Sequence, residues 1–568
     1  MGPNVYAARA GALLVVAIEN DPHAHELFTQ LLVACEFQIR ALMTALQWPT
    51  PMVVAQRDGL QASIFASAPI DALMTATEVN EQAWMSAEAT VRGETGAVDL
   101  VRLQSLYDVE HAAQPNAAAV YVAALSRNVT VTFDDETLSV GSGEGSYAWP
   151  LALVPEVAGV PWHAVRDVPV ALVTGSNGKT TTTRLVVAMW RAAGRVVGFC
   201  CSDGVWIDDL PLDSGDYSGP TGARMVLRDT RVQAAVLETA RGGILRRGLA
   251  IHRATAAVIT NIAADHFGEY GVHTLHDLAD AKRVVATALN DDGRMVLNAD
   301  DSILARLGAR LSVPCAWFSV ADTHEALDVH VAGGGDAAIV HDGNAWLHVA
   351  QSWHDLGAIA AMPLSFGGAA AYNVANILGA SLLAAVMGVP INAITLTLGT
   401  FGTTPLDNPG RLQRMQFGGV TVIIDYAHNP DGLTSLCRAA ATVPATRRLL
   451  VLGQAGDRDD AQLRALVRAA WSVTPFDRVI VKEMPAMLRG RSLGDLPAVF
   501  LDELRGLGVP DARVGVAPSE LEAVRQALDW ARDGDVLVCP VHIDKTFVFA
   551  LLERMREARW RAGDVLPA

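Results

Sequence analysis

The sequence has few aromatic residues and no apolar run long enough to cross a bilayer. Aromatic residues make up 6% of the 568 residues, and charged residues make up 18%. The longest apolar stretches, residues 11–18 and 378–389, are shorter than the roughly 18 residues that a transmembrane helix needs. The mean hydropathy of +0.25 is instead typical of α/β proteins rich in alanine and valine. We therefore expect no membrane partner.

The apolar run at residues 11–18 has two interpretations, the core of a signal peptide or a buried strand. Arg9 is the one basic residue shortly before it, and Glu19-Asn20-Asp21 follow where a cleavage site of small residues is needed. These flanks favour the strand. They also favour a cytoplasmic location.

The chain also lacks paired cysteines and basic runs. Its six cysteines, at positions 35, 200, 201, 315, 437 and 539, form no C-x-x-C pair and no zinc spacing with histidine. We expect reduced, buried thiols. Acidic residues (61) outnumber lysine plus arginine (44), for a formal net charge of −17. Nucleic acid is therefore not an expected partner, and any phosphate must be bound locally, by a loop.

The pattern of apolar segments predicts an α/β protein of three units: residues 1–165, 166–405 and 406–568. We expect an N-terminal α+β domain, a central parallel-sheet domain and a smaller, Rossmann-like α/β C-terminal domain. The proline-spaced stretch 150–169 predicts the first linker. The N-terminal unit has no catalytic motif, which leaves acceptor binding or formation of a homo-oligomer as its role.

Particular strands and one helix follow from the same pattern. For the N-terminal unit the predicted strands are 12–18, 120–124 and 129–133, and the predicted helix is 23–46. For the central unit the predicted strands are 168–173, 234–237, 256–259 and 294–297. For the C-terminal unit they are 420–424, 448–452, 478–481 and 536–539.

A glycine-rich phosphate loop is the strongest motif. It reads Gly175-Ser176-Asn177-Gly178-Lys179-Thr180-Thr181, after an apolar strand and before a helix predicted at 181–193. Glycines let backbone N–H groups approach phosphate oxygens, and the helix N-terminus attracts negative charge. Lys179 can reach the β- and γ-phosphates, and the Thr180 hydroxyl suits Mg²⁺. Val173 stands where the longer P-loop pattern has a glycine, so this shortened loop predicts ATP binding by a central P-loop ATPase domain.

A second cluster of polar residues follows the phosphate loop. Glu238 ends a predicted strand, His266 follows the next strand, and Lys282 lies in a predicted helix, 275–289. Taken singly, these residues could be a helix cap, a packed histidine and a solvated lysine. Together with Lys179 they predict a catalytic site that holds metal and a carboxylate beside the γ-phosphate.

The order of these motifs resembles that of the Mur ligases, which include the UDP-muramoyl peptide ligases and folylpolyglutamate synthetase. The resemblance runs from residue 168 to the end of the chain. Beyond residues 175–181, Glu238, Asn261 to His266 and Lys282, it is carried by Asn298-Ala299-Asp300-Asp301, Ala371-Tyr372-Asn373-Val374-Ala375-Asn376, Asn408-Pro409-Gly410-Arg411, Asp425-Tyr426-Ala427-His428-Asn429-Pro430 and Gly456-Asp457-Arg458.

The resemblance implies an ADP-forming ligase that activates a carboxylate as an acyl phosphate and joins it to an amine. It implies two Mg²⁺ ions, with Thr180, Glu238 and His266 as metal ligands, and a carbamylated Lys282. It also implies that the C-terminal domain closes over ATP. The implied ATP contacts are Gly175, Ser176, Asn177, Gly178, Lys179, Thr180, Thr181, Asn298, Asn373, Asn376, Arg411 and Asp425.

Within that family the sequence is most similar to the Mur-like half of the cyanophycin synthetases. The similarity implies an acceptor with an aspartate-like carboxylate and an amine such as arginine. Residues 1–165 do not resemble the ATP-grasp domain that extends the backbone in those enzymes, so we expect one kind of amide bond. The strings that carry it are Ser202-Asp203-Gly204-Val205-Trp206, Gly215-Asp216-Tyr217-Ser218-Gly219-Pro220, Leu237-Glu238-Thr239-Ala240-Arg241-Gly242-Gly243-Ile244-Leu245 and Asn261-Ile262-Ala263-Ala264-Asp265-His266.

Two alternatives stay open. One is a ligase of the poly-γ-glutamate or folate type, because substrate pockets change faster than ATP sites. The other is a regulator that binds ATP without catalysis, for which a broken second cluster is expected, whereas Glu238, His266 and Lys282 are all present. The sequence does not identify the general base.

Overall fold

The computed structural model describes residues 2–20, 24–265, 267–268 and 270–567. Its N-terminal part contains two antiparallel three-stranded sheets, ordered β1-β3-β2 and β4-β5-β6. Helices α1 and α2 pack on each other over a core that includes Phe28, Ile39 and Ile64. The elements are β1 Gly11–Ala17, α1 Ala24–Ala45, β2 Val53–Asp58, β3 Gln61–Ser67, α2 Leu73–Val91, α3 Leu100–Ala113, α4 Ala117–Ser126, β4 Val131–Phe133, β5 Thr137–Val140 and β6 Tyr147–Pro150.

One predicted strand of this part is wrong. Residues 120–124 lie within helix α4, where Val120 and Ala124 are buried while Val122 is exposed. The buried positions are four apart, which is the spacing of one helix face. Alanine, the strongest helix former, fills half of this segment, and a short apolar run does not by itself separate a helix from a strand.

The central part is built on one large mixed sheet, for which the structure describes the strand order β10-β9-β8-β11-β7-β12-β13-β14-β15-β16-β17. The elements are β7 Val170–Thr174, α5 Lys179–Ala192, β8 Val197–Cys201, β9 Gly204–Ile207, β10 Leu210–Ser214, α6 Pro220–Arg228, β11 Ala234–Glu238, α7 Arg241–Arg247, β12 Ala254–Ile259, α8 Leu275–Arg283, β13 Leu289–Asn298, α9 Ser302–Gly308, β14 Cys315–Ser319, α10 Glu325–Ala332, β15 Ala337–His341, β16 Asn344–Val349, β17 Ser352–Ala358, α11 Ala371–Val386 and α12 Ile391–Thr400.

The predicted parallel sheet is confirmed for the middle of this sheet, from β8 to β15. The hairpin strands at both edges pair antiparallel and were not predicted. Helices cover both faces: α5, α11 and α12 bury one apolar cluster, and α6 to α9 bury another. Parallel strands require both faces of the sheet to be covered, which leaves the ends of the strands accessible. In such sheets, ligands bind at the carboxyl ends of the strands.

The C-terminal part carries a separate sheet ordered β18-β19-β23-β20-β21-β22, parallel except for the edge strand β18. Apolar cores lie on both faces, which confirms the predicted α/β class. Its elements are β18 Gln413–Phe417, β19 Val420–Asp425, α13 Pro430–Ala441, β20 Arg448–Leu452, α14 Asp460–Trp471, β21 Arg478–Lys482, α15 Asp495–Gly506, β22 Val514–Ala517, α16 Glu520–Trp530, β23 Val536–Pro540 and α17 Lys545–Glu557.

The sequence-based bounds of the three units, 1–165, 166–405 and 406–568, stay a prediction. All six cysteines are free thiols, and five of them are buried. Among the described residues, none of the helices combines the length and the apolar character needed to span a bilayer.

Candidate active site

The phosphate loop connects β7 to α5 at the carboxyl edge of the large sheet. Its glycines sit where a side chain is excluded: Gly178 has φ +82°, and a Cβ there would lie 2.2 Å from Asn376 Oδ1. A Cβ on Gly175 would lie 1.8 Å from Thr260 Oγ1. The side chain of Asn261 accepts a hydrogen bond from Asn177 N (2.9 Å) and donates one to Asn177 O (3.1 Å). The loop is therefore shaped by the residues that follow β12 and by helix α11.

Lys179 lies across this loop. Its Nζ donates to the backbone carbonyls of Gly175 and Ser176, both at 3.0 Å. These neutral acceptors are weaker partners for an ammonium group than a phosphate is. The side chain is therefore placed to exchange them for phosphate oxygens, as its sequence-based role requires.

Thr180 and Glu238 form the candidate metal site. Thr180 Oγ1 donates to Glu238 Oε2 at 2.9 Å, and both residues are buried. Burial raises the pKa of Glu238, against the opposing effect of Lys179 and Arg411. A hydroxyl and a carboxylate are the hard oxygen ligands that Mg²⁺ prefers, so this pair fits the ion. His266, the third predicted ligand, lies outside the described residues.

Lys282 is buried directly beneath the phosphate loop. Its Nζ donates to Gly175 O at 2.8 Å, and the residue is 3% exposed. Burial lowers the pKa of Lys282 well below its usual value, and the nearby cations of Lys179 and Arg241 lower it further. Burial therefore favours the neutral form of this amine more than that of an ordinary surface lysine.

Arg411 and Asp425 reach the site from the C-terminal part. The Arg411 guanidinium lies 3.4 Å from Thr180 Oγ1 and 3.2 Å from Ser202 Oγ, stacked 4.3 Å from the Tyr426 ring centroid. Asp425 accepts a hydrogen bond from Leu412 N at 2.6 Å, and burial raises its pKa despite Arg411. The carboxylate thus fixes the backbone next to Arg411, while the arginine faces the phosphate loop.

Several further contacts join the central and C-terminal parts around the site. Asn177 exchanges side-chain hydrogen bonds with Asn429, the shorter at 2.8 Å, and donates to Asp431 at 2.9 Å. Lys545 Nζ lies 2.9 Å from the Asp203 carboxylate. Arg458 donates to Asp265 at 3.0 Å. Side chains of both parts therefore meet around the site, and closure over ATP stays a prediction.

The phosphate loop, Glu238, Lys282, Arg411 and Asp425 line a cavity of about 940 Å³. Two buried donors on its wall, Arg411 Nε and the Tyr372 hydroxyl, have no hydrogen-bond partner within the described ranges, so a polar ligand fits there. Asn298 instead ends β13 and donates to Thr260 O at 3.3 Å, and its ATP contact stays a prediction. The predicted site residues in the lining are Gly175, Ser176, Asn177, Gly178, Lys179, Thr180, Thr181, Glu238, Lys282, Asn373, Asn376, Arg411 and Asp425.

Two family models match the parts of the chain that enclose this cavity. The Mur ligase middle domain matches residues 173–384, and the Mur ligase glutamate ligase domain matches residues 410–540. The chain belongs to the Mur ligase family. The predicted family membership is therefore confirmed.

The relatives of this Mur ligase include cyanophycin synthetases. The enzyme of Trichormus variabilis is 37% identical over 379 residues, which are 66% of this chain and 42% of that protein. A UDP-N-acetylmuramoyl-L-alanyl-D-glutamate–2,6-diaminopimelate ligase of Chlorobaculum tepidum is 28% identical over 64% of this chain and 70% of its own length. The solved structure of E. coli FolC with DHPP and ADP matches 68% of this chain and 89% of its own at 19% identity, with a TM-score of 0.49. The chain thus spans less than half the length of the cyanophycin synthetase that it matches.

Sequence reasoning missed several residues of this Mur ligase that the structure places in or beside the cavity. Ser202, Asp203 and Arg241 lie in strings that resemble cyanophycin synthetases but had no role assigned, and Tyr426 lies beside Asp425 in a family motif. Lys545 had no signal in the sequence, because its partner Asp203 is 342 positions away.

Proposed function

We propose that this Mur ligase is an ATP-dependent amide ligase that joins a carboxylate to the amine of an amino acid, with release of ADP and phosphate. The observation that carries the proposal is the meeting of Lys179, Glu238, Lys282 and Arg411, from four separated segments, around one cavity. A regulator that only binds nucleotide has no need for the lysine buried beneath the phosphate loop.

The proposed reaction begins by making the carboxylate a better electrophile. Transfer of the γ-phosphoryl group to a carboxylate oxygen releases ADP and converts a poor leaving group into phosphate. The amine nitrogen then attacks the carbonyl carbon, phosphate departs, and the proton lost from nitrogen passes to the departing phosphate or to a nearby base. Charge accumulates where the carboxylate meets the triphosphate, and Lys179 and Arg411 are placed to offset it. Mg²⁺ held by Thr180 and Glu238 would supply positive charge that offsets the negative charge of the triphosphate.

The chain's own residues supply positions for each group. Thr180 and Glu238, with His266, are the proposed metal ligands. Lys179 and the backbone of residues 175–181 are the proposed contacts of the β- and γ-phosphates. Asn373 and Asn376, at the start of α11, are proposed on the adenine side. Closure of the C-terminal part then excludes water, which would otherwise hydrolyse the activated carboxylate.

The proposed substrates follow from the similarity to cyanophycin synthetase: an acceptor with an aspartate-like side-chain carboxylate, and a basic amino acid such as arginine as the amine. One phosphate loop is recognised in this chain, so we expect one kind of amide bond. Mass spectrometry with ATP, aspartate-containing peptides and each amino acid in turn should detect one amide formed per ATP consumed.

The same assay separates the alternatives. Products with glutamate added to a γ-carboxylate or a folate would place the enzyme with other Mur ligases. Tight ATP binding without product for any amine would favour the regulator. Alternating backbone and side-chain amides from this chain alone would contradict the single-bond expectation and imply a second active site.

Carbamylation of Lys282 is a further proposal that the assay can test. Only a neutral amine reacts with CO₂. Burial lowers the pKa of Lys282, which favours the neutral form. We expect ¹³C-labelled bicarbonate to give a carbamate resonance that is lost in Lys282→Ala, together with activity. Arg283→Ala, one position further along the chain, is the control. An unmodified Lys282 in fully active enzyme contradicts carbamylation but leaves the ligase proposal standing.

A further inference from the structure

Lysine is rare in this protein, and three of its four lysines contact the phosphate loop or join the two parts beside the candidate active site. The chain has four lysines against forty arginines. Lys179 and Lys282 contact the phosphate loop, and Lys545 pairs with Asp203 across the two parts. The fourth, Lys482, is outside the cavity lining and has no role in the proposed reaction. A compact ammonium donates in three tetrahedral directions, which the planar fork of arginine cannot reproduce.

Lys482 uses all three donors inside the C-terminal part. It is ion-paired with Glu520, and both side chains are 0% exposed. It also donates to Pro540 O at 2.6 Å and to His542 Nδ1 at 3.2 Å. These partners come from the start of α16, from the end of β23 and from the segment after β23. Lys482 therefore ties the end of β21 to the start of α16 and to the end of β23 with the residues that follow it.

Gly453 makes this crossing possible. Lys482 ends β21, and it must pass over the end of β20 to reach β23. A Cβ on Gly453 would lie 2.4 Å from Lys482 Cγ and 2.7 Å from Lys482 O. The crevice at the carboxyl ends of parallel strands is where α/β folds bind ligands. Here the protein fills it with its own ion pair.

The ion pair also fixes the chemistry of His542. Burial lowers the pKa of His542 to about 3, and the adjacent Lys482 cation lowers it too, so the ring is neutral. Because Nδ1 accepts from Lys482, the ring proton is on Nε2, which lies 3.1 Å from Ala427 O. Glu520 accepts the backbone N–H of His542, Ile543 and Asp544 at 2.7 to 2.8 Å. The imidazole is therefore held as a donor aimed at Ala427.

Ala427 lies in the same loop as Tyr426, the residue on which the Arg411 guanidinium stacks. Tyr426 packs its ring edge-on against His542, at 5.2 Å between centroids, and lies under the Arg411 guanidinium at 4.3 Å. Arg411 in turn reaches Thr180 Oγ1 in the phosphate loop. An unbroken series of contacts thus runs from the buried ion pair to the proposed nucleotide site.

We propose that Lys482, Glu520 and His542 are positioning residues, which hold the loop of residues 425–428 so that Arg411 is presented to the nucleotide. The role of Arg411 in that statement rests on the proposed function, whereas the hold on the loop does not. Displacement of a catalytic group by about 1 Å can cost on the order of a hundredfold in rate, so a donor that fixes this loop has a large effect from outside the cavity.

Two substitutions at one position test the proposal. His542→Gln can keep an amide donor near the place of Nε2, whereas His542→Asn is too short to reach Ala427. Hydrogen exchange of residues 425–429, followed by mass spectrometry on the full chain, should be faster in His542→Asn and close to wild type in His542→Gln. Glu520→Gln, which keeps the side-chain shape but removes the charge, should also speed exchange of this loop.

Asp535→Asn is the matched control. Asp535 is likewise a fully buried carboxylate with a basic partner, Arg447, but it lies at the opposite edge of the same sheet. It should leave exchange of residues 425–429 unchanged even if the whole protein loses stability. Wild-type exchange in His542→Asn, or equal acceleration in Asp535→Asn, would overturn the proposal and leave a purely structural ion pair.

Coupling to Arg411 is the second readout. We expect His542→Asn to weaken binding of a fluorescent ATP analogue with Mg²⁺ on the order of tenfold. In an Arg411→Ala background it should weaken binding no further, because residues acting through one group are not additive. Additive losses would overturn the proposal. Neither exchange nor binding requires amide formation, so an inactive ligase with the expected coupling contradicts the proposed function alone.

Discussion

Lys179→Ala should lower ATP-dependent phosphate release by on the order of 10²- to 10³-fold or more, the cost of removing one preorganised stabiliser of transition-state charge. The side chain is partly exposed and its partners are two backbone carbonyls. Without Lys179, water can donate hydrogen bonds to those carbonyls. The midpoint of thermal unfolding should therefore change little. Phosphate release and thermal unfolding, measured on the same preparation, check both halves of the expectation.

The control for Lys179→Ala is Arg191→Ala, at the far end of the same helix. Arg191 is a partly exposed cation that faces Asp208 and Asp209, away from the phosphate loop. It should retain turnover. Phosphate release at the wild-type rate in Lys179→Ala would contradict the assignment of residues 175–181 as the phosphate-binding loop.

Glu238→Gln should abolish turnover and also raise the stability of the protein without nucleotide. The amide keeps the shape and can accept from Thr180, but it binds a divalent cation poorly. The pKa of Glu238 is raised by burial, so its charged form is disfavoured in the folded state. A carboxyl whose pKa is raised by folding contributes stability at low pH, and this stability is lost as the pH rises through the folded pKa. Glutamine has no charge, so the variant does not lose stability in this way.

The measurement for Glu238→Gln is thermal unfolding from mildly acidic to mildly alkaline pH, with and without Mg²⁺ and ATP. The variant's advantage without ligand should grow as the pH rises, and wild type should recover stability only when both ligands are added. Glu144→Gln, an exposed carboxylate beside Arg166, is the control. A variant that stays active contradicts the metal-site assignment. A variant that is less stable than wild type at alkaline pH without ligand contradicts the expected cost of the buried charge.

The parts of the fold that follow from local pattern were predictable. Each predicted strand of the central and C-terminal parts overlaps an observed one, from β7 at Val170–Thr174 to β23 at Val536–Pro540. Parallel strands buried on both faces give continuous apolar runs. The edge hairpin β9 and β10 has one exposed strand, Leu210–Ser214, and so lacks such a run. Helix α4 is rich in alanine and apolar on most sides, so its sequence does not show the helical spacing of apolar residues clearly.

The site divides in the same way. Residues 175–181 are contiguous, so strand, loop and helix predict their arrangement together. Arg411 and Thr180 are 231 positions apart, and only the family motif suggested that they meet. Lys482, Glu520 and His542 belong to no motif that sequence reasoning used. Their significance depends on Gly453 and on the strand order of the C-terminal sheet, which no local pattern encodes.

The contacts between the two parts restrict how this protein can be recombined with its relatives. A crossover near residue 405 is simple in chain connectivity, because it falls between α12 and β18. It nevertheless separates Asn177 from Asn429, Asp203 from Lys545 and Asp265 from Arg458. A chimera that takes its two halves from different parents inherits one member of each pair from each parent. Such a protein can fold in both halves and still fail to assemble an active site, unless the three pairs are transferred together.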